Sequence, residues 1–96
     1  MRPSVALELK RAAIREMTHR HRAANPRVFG STLRGADRED GDLDLLVDAL
    51  PGATLFDLGA LQEELQALLG VRVDLKTPAD LPASFRAQVL AEALPV

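Results

Sequence analysis

The chain has 96 residues, a length that predicts a single domain over residues 1–96 and leaves no room for two hydrophobic cores. Apolar residues make up 47% of it and charged residues 27%, which excludes a mainly disordered chain. Cysteine is absent, which excludes disulfides and thiolate metal sites, and no apolar run is long enough to span a membrane, so we expect a cytoplasmic protein.

The net charge of −2 hides an uneven distribution of charge along the chain. Nine of the twelve basic residues lie at or before Arg38, and eleven of the fourteen acidic residues lie at or after Glu39. No aromatic residues are interleaved with the basic ones, which argues against direct nucleic-acid binding, since single-strand surfaces stack bases on aromatic rings. We interpret the basic part as the solvated face of a helix, with contact to phosphate or to an acidic partner as the alternative.

The first predicted element is a helix from Pro3 to the pair Asn25-Pro26, because proline is tolerated in a first turn and disrupts a helix interior. His19 and His21, near its end, point about 200° apart and cannot share a metal ion. Apolar residues recur at helical spacing, and we expect the face that they form to pack on the domain; they are Val5, Leu7, Leu9, Ala13, Ile14 and Met17.

Two strands are predicted next. The first, "RVFG", ends at Gly30 and is followed by about one helical turn. The second, "DLDLLVD" (residues 42–48), alternates polar and apolar side chains, so that Asp42 and Asp44 share one face. Leu46 lies in phase with these acids, an apolar side chain that we expect another protein to cover.

The second half predicts a helix, a strand and a last helix. Thr54 is a suitable N-cap for a leucine-rich helix that ends at Gly70, and Ser84 is a suitable cap for the last helix. Between them "VRVDLKT" alternates again and places Asp74 on the polar side of a strand. Because two strands are polar on one face, we expect an α/β (α+β) fold in which a small mixed sheet has helices on one face only.

Three acidic side chains are the candidates for metal binding. Asp42 and Asp44 are two residues apart on a strand, so their carboxylates are close and repel each other when both are ionised. Oxygen ligands of this kind suit Mg²⁺ or Mn²⁺. Asp74 can supply a third carboxylate if its strand is a neighbour, and three such acids permit a two-metal arrangement.

The turn after the first strand is the candidate for phosphate binding. A strand that ends in Gly30 lets the backbone approach a phosphate closely, and the free N–H groups that follow attract an anion. Ser31 adds a hydroxyl donor, while Arg34 and, more weakly, Lys76 can neutralise phosphate charge. Each feature alone is common on solvated surfaces, but their combination on suitable strands indicates chemistry on a nucleotide triphosphate.

The stretch "FGSTLRGADREDGDLDLLVD" (residues 29–48) resembles the signature of the DNA polymerase β-like nucleotidyltransferase superfamily, and in particular the minimal nucleotidyltransferase, or MNT-domain, proteins. The resemblance covers nearly the whole chain. The residues that it implies are Gly30 and Ser31 for the nucleotide triphosphate, and Asp42, Asp44 and Asp74 for Mg²⁺ and catalysis. The chain departs from the family pattern at Leu33, where a small residue is common, and at Gly41, where serine is common. These two differences affect how the phosphates are positioned and leave the metal site intact.

The resemblance also implies a partner. MNT-domain proteins are commonly antitoxins paired with a HEPN-domain toxin, a ribonuclease, and are implied to transfer AMP from ATP to a tyrosine of that toxin. A chain this small, with one sheet face given to metal and triphosphate, leaves little protein to bind an acceptor, so we expect a hetero-oligomer. Two alternatives are a non-catalytic antitoxin that blocks its partner by contact, and transfer to a small molecule, which relatives with an additional acceptor-binding domain perform.

Overall fold

The computed structural model describes residues 1–96 and contains three α-helices and a four-stranded sheet. In chain order the elements are α1 (Pro3–Arg20), β1 (Ala23–Phe29), β2 (Leu43–Ala49), α2 (Leu55–Leu69), β3 (Val73–Lys76), a 3-10 helix (Pro78–Asp80), α3 (Arg86–Glu92) and β4 (Leu94–Pro95). The strand order is β3-β2-β1-β4, in which β2 and β3 are parallel and β1 is antiparallel to both of its neighbours. The predicted mixed sheet is confirmed, with the short edge strand β4 as an addition.

The main core lies between the sheet and the two long helices. α1 contacts β1 and α2, while α2 also contacts β3, so both helices pack on the same face of the sheet. The side chains at its centre are apolar and buried; they include Leu7, Ile14, Leu43, Leu45, Val47, Leu61 and Leu65. The fold class predicted from the alternating strands is therefore confirmed.

α1 is shorter than predicted. It ends at Arg20, so the prediction that it continues to Asn25-Pro26 is wrong. Arg22 adopts a left-handed backbone conformation (φ 57°), and the chain then enters β1. Asn25 (φ 52°) and Pro26 together lie opposite Val47, which makes a β-bulge. Proline has no N–H to donate to the sheet, and a bulge is one of the strand positions where it is accommodated.

The apolar face of α1 is only partly buried. Leu7 and Ile14 are in the core as predicted, whereas Val5 and Leu9 are 46% and 66% exposed. Val5 and Leu9 each lie two residues from Leu7, about 200° around a helix, so the three cannot all face the sheet. The predicted stripe was too wide for one packing face.

The opposite face of the sheet is partly covered by the chain itself. After β3 the chain passes over this face, and its 3-10 helix contacts β2. Leu46 and Leu81 are both buried there, at 0% and 2% exposure, outside the main core. The expectation that another protein covers Leu46 is therefore wrong, because the segment that follows β3 does so.

α2 begins and ends at the residues that the sequence predicted. The Thr54 hydroxyl accepts a hydrogen bond from the Asp57 N–H, and the Asp57 carboxylate accepts one from the Thr54 N–H at 2.8 Å. Gly70 ends the helix with a left-handed backbone (φ 69°), which glycine adopts without strain. None of the helices combines the length and apolarity that crossing a membrane requires.

Candidate active site

The sequence-predicted site residues meet at one end of the sheet. β1 ends with Phe29, which pairs with Asp44 of β2, and Asp44 in turn pairs with Asp74 of β3. Because β1 and β2 are antiparallel, Gly30 follows β1 at the same end at which Asp42 precedes β2. The sheet register thus gathers the three predicted acids and the predicted phosphate-binding turn.

Gly30 allows the turn to approach the acids closely. Its backbone is left-handed (φ 76°), and a Cβ built there would overlap the carboxylate of Asp44 and lie 3.1 Å from its Cγ. Any other residue would therefore meet both backbone strain and a collision. The structure therefore requires glycine here for close approach to Asp44, while the predicted approach to a phosphate stays a prediction.

The turn after Gly30 is the single helical turn that the sequence predicted. The N–H of Arg34 donates to the Gly30 carbonyl at 3.3 Å, and the N–H of Ala36 donates to the Ser31 carbonyl at 2.9 Å. Arg34 is exposed, and its guanidinium belongs to none of the ion pairs of the structure. This arginine is therefore available to an anion bound beside the turn.

Asp44 is in an unfavourable environment for a carboxylate. Burial raises the pKa of Asp44, and the negative charges of Asp74 and Asp42 raise it further, while Lys76 opposes the shift. The crowding of acids that the sequence predicted is therefore present. A bound cation would relieve it, because it favours the ionised form of all three side chains.

The outer two acids have basic partners. The Arg72 Nε lies 2.9 Å from the Asp42 Oδ1, and the Lys76 Nζ lies 3.3 Å from the Asp74 Oδ1. Lys76 was predicted from the sequence to neutralise phosphate charge, and in the structure it pairs with Asp74. Arg72 was not predicted, and its only signal was its place on the polar face of the strand predicted over residues 71–77. Both ion pairs are substantially exposed and are therefore weak.

The chemistry of the three acids fits a hard divalent cation, because all of their ligand atoms are carboxylate oxygens. No three His, Asp or Glu side chains form a closed ligand cluster in the structure. Asp42 and Asp74 are instead paired with Arg72 and Lys76. Metal binding would exchange these weak ion pairs for coordination and would remove the repulsion at Asp44.

Two glutamines of α2 fix the strand that carries Asp74. The Gln66 Oε1 accepts from the Val73 N–H at 3.0 Å, and the Gln62 Oε1 accepts from the Leu75 N–H at 3.1 Å. These N–H groups flank Asp74 on the side away from β2, where β3 is the edge of the sheet. Neither glutamine was predicted from the sequence, in which their only signal is a spacing of four residues beside the leucine stripe.

Comparisons with known proteins identify the family. The model of the nucleotidyltransferase domain family matches residues 10–96. The protein adenylyltransferase MntA of Thermococcus cleftensis is 45% identical over 65 residues, which are 68% of this chain and 66% of that protein. A protein of Methanocaldococcus jannaschii described as a protein adenylyltransferase is 34% identical over 89 residues, which are 93% of this chain and 95% of that protein.

Solved structures agree with this assignment. A structure described as a minimal nucleotidyltransferase superposes with a TM-score of 0.87 and 46% identity, covering 97% of this chain and 95% of the other. A toxin–antitoxin structure with AMP-PNP shares the fold, with a TM-score of 0.69 and 20% identity, covering 83% of this chain and 66% of that one. The predicted resemblance and the predicted enzyme class are confirmed. The chain belongs to the nucleotidyltransferase domain family.

Proposed function

We propose that this protein transfers AMP from ATP to a tyrosine of a HEPN-domain toxin, with Mg²⁺ as its cofactor, and so acts as an antitoxin. The observation that carries the proposal is the register pair of Asp44 and Asp74, crowded by Asp42 and adjoining Gly30. The name of the MntA relative supports adenylyl transfer to a protein. The toxin–antitoxin structure with AMP-PNP supports ATP as the donor and a toxin as the partner.

The turn and the acids have separate tasks in this proposal. The N–H groups after Gly30 and the Ser31 hydroxyl bind the triphosphate, and Arg34 neutralises part of its charge. Asp42, Asp44 and Asp74 would hold Mg²⁺, which when bound supplies the positive charge that stabilises the reacting phosphate. The resemblance implies these acids together with Gly30 and Ser31, whereas Arg34 is added because it is exposed beside the turn.

Transfer requires an acceptor hydroxyl in line with the α-phosphate. Its oxygen attacks the α-phosphorus, the bond from that phosphorus to the bridging oxygen of the β-phosphate breaks, and pyrophosphate leaves. We assign the departing hydroxyl proton to the Asp74 carboxylate, which is 44% exposed at the edge of the acidic group. The acceptor protein would then lie over Asp74 and complete the site.

The crowded acids favour catalysis over inhibition by contact alone. A binding module gains nothing from three adjacent carboxylates that raise the pKa of Asp44, since their repulsion destabilises the fold. Transfer to a small molecule would need an acceptor pocket. No groove of the structure is lined by Asp42, Asp44 or Asp74, and the largest, about 300 Å³, lies beside Gly41 and Arg72.

Replacing Asp74 by asparagine separates an enzyme from a contact inhibitor. We expect Asp74→Asn to keep its complex with the proposed HEPN-domain toxin and to lose modification of that toxin, because the exchange is isosteric and removes the proton acceptor. The toxin is incubated with ATP, Mg²⁺ and either protein, and its intact mass and ribonuclease activity are measured. Neutralisation of the toxin by both proteins, with no AMP added by either, would establish contact inhibition instead.

A further inference from the structure

Asp37 lies in the loop between Gly30 and Asp42. It binds this loop to the first turn of α1. Its side chain is buried, and the Asp37 Oδ2 accepts a hydrogen bond from the Ser4 N–H at 3.0 Å, across 33 residues of sequence. The first N–H groups of a helix have no partner within the helix. The N-cap residue Arg2 makes no capping hydrogen bond, and the first turn contains no acidic residue, so Asp37 provides the cap from outside the helix.

The other contacts of the loop are few, and one of them is an exposed ion pair of Glu39 with the amino-terminal ammonium at 2.7 Å. Leu33 packs against the main core, and Thr32 is buried, whereas Arg34 and Arg38 on either side of Asp37 are exposed. The N–H groups that would meet a phosphate belong to the turn between Gly30 and Asp37. Hydrogen bonding from the backbone and the side chain of Ser4 lowers the pKa of Asp37, and a charged acceptor forms a stronger hydrogen bond than a neutral one.

We propose that Asp37 is a positioning residue that holds the phosphate-binding turn in its nucleotide-competent conformation by binding it to the first turn of α1. The inference rests on the proposed function, because it assumes that this turn binds the triphosphate. Without this contact, the turn would keep only the packing of Leu33 and Thr32, and the loop after it would keep only the exposed ion pair of Glu39. Its N–H groups would then have to be ordered when the nucleotide binds, which weakens binding.

The test compares Asp37→Ala with Asp57→Ala, a matched control. Asp57 also accepts a hydrogen bond from an N-terminal N–H of a helix, and its pKa is also lowered by that bond, but it caps α2 away from the site. We expect Asp37→Ala to speed hydrogen exchange about tenfold or more at Arg34, Gly35 and Ala36, since a hydrogen bond to a charged group is lost. Asp57→Ala should leave exchange at these three amides unchanged.

Nucleotide binding is measured on the same proteins by calorimetry with AMP-PNP and Mg²⁺. Asp37→Ala should bind about tenfold more weakly, Asp57→Ala like the unchanged protein, and Asp37→Asn, which keeps an acceptor for Ser4, within about threefold of it. If Asp37→Ala does not fold, Ser4→Pro removes the same hydrogen bond from the donor side, in the first turn of α1, where the N–H has no partner within the helix.

The two possible failures are distinguishable. If the unchanged protein does not bind AMP-PNP, the proposed function fails, and the assumption beneath this inference fails with it. If the unchanged protein binds AMP-PNP while Asp37→Ala or Ser4→Pro binds it equally well, Asp37 only stabilises the fold and the inference alone is overturned. Equal effects of Asp37→Ala and Asp57→Ala on nucleotide affinity would overturn it as well.

Discussion

Asp44→Asn is expected to abolish nucleotidyl transfer while leaving the thermal stability unchanged or higher. The substitution removes a proposed metal ligand, so the rate should fall by more than about 100-fold, the upper figure for residues that only support metal ligands. It also removes the central one of three crowded carboxylates. The partial burial of Asp44 and its repulsion by Asp74 and Asp42 raise its pKa, so the charge that is lost was unfavourable. The measurements are the transfer rate at saturating Mg²⁺ and a thermal unfolding curve of the metal-free protein.

Asp48→Asn is the matched control on the same strand. Asp48 pairs with Arg27 at 3.0 Å and accepts from Asn25 at 2.8 Å, and it contacts none of the site acids. We expect it to lower stability by about 1–3 kcal/mol, because mostly buried Arg27 loses a charged partner, and to leave transfer unchanged. An Asp44→Asn protein that kept substantial transfer activity would contradict the assignment of the site.

Gly30→Ala is expected to be both destabilising and inactive. A left-handed backbone costs a non-glycine residue about 1–2 kcal/mol, and the new methyl group also collides with the Asp44 carboxylate. Because the collision displaces Asp44 or the turn itself, we expect the affinity for AMP-PNP and the transfer rate to fall along with stability. Unfolding curves and nucleotide titrations check the two effects separately.

Gly52→Ala is the control for the backbone term. Gly52 is also left-handed (φ 88°), and its added Cβ would meet only the flexible end of Arg22, at an ordinary 3.6 Å. It should therefore lose about 1–2 kcal/mol of stability and keep normal nucleotide affinity. If Gly30→Ala and Gly52→Ala had the same small effect on stability and neither changed nucleotide binding, the close approach of Gly30 to Asp44 would have no functional role.

Local signals in the sequence were sufficient to predict which residues of the candidate site lie together. The alternation of residues 42–48 and 71–77 placed Asp42, Asp44 and Asp74 on polar strand faces, and Gly30 marked the turn that meets them. These features depend on the alternation of polar and apolar residues and on single glycines, both of which can be read directly from a sequence. Neighbouring strands then bring the residues together whatever the rest of the fold does.

Contacts between distant segments were not predictable in the same way. Leu46 has the pattern of an exposed residue, yet the segment that includes Leu81 crosses β2 and buries it. Asn25-Pro26 has the pattern of a helix end, yet these two residues form a β-bulge within β1. Asp37 looked like one of several polar loop residues, because its partner Ser4 is 33 positions away. A sequence shows which groups need partners, but not which distant group supplies them.

A crystal structure with AMP-PNP and Mn²⁺ tests the central claim most directly, because the anomalous signal of Mn²⁺ locates the metal independently of the nucleotide. We expect the metal between Asp44 and the neighbouring carboxylates of Asp42 and Asp74, with the triphosphate on the turn after Gly30 and with the ion pairs to Arg72 and Lys76 released. Nucleotide bound elsewhere, or no Mn²⁺ at these acids when both ligands are saturating, would contradict the account.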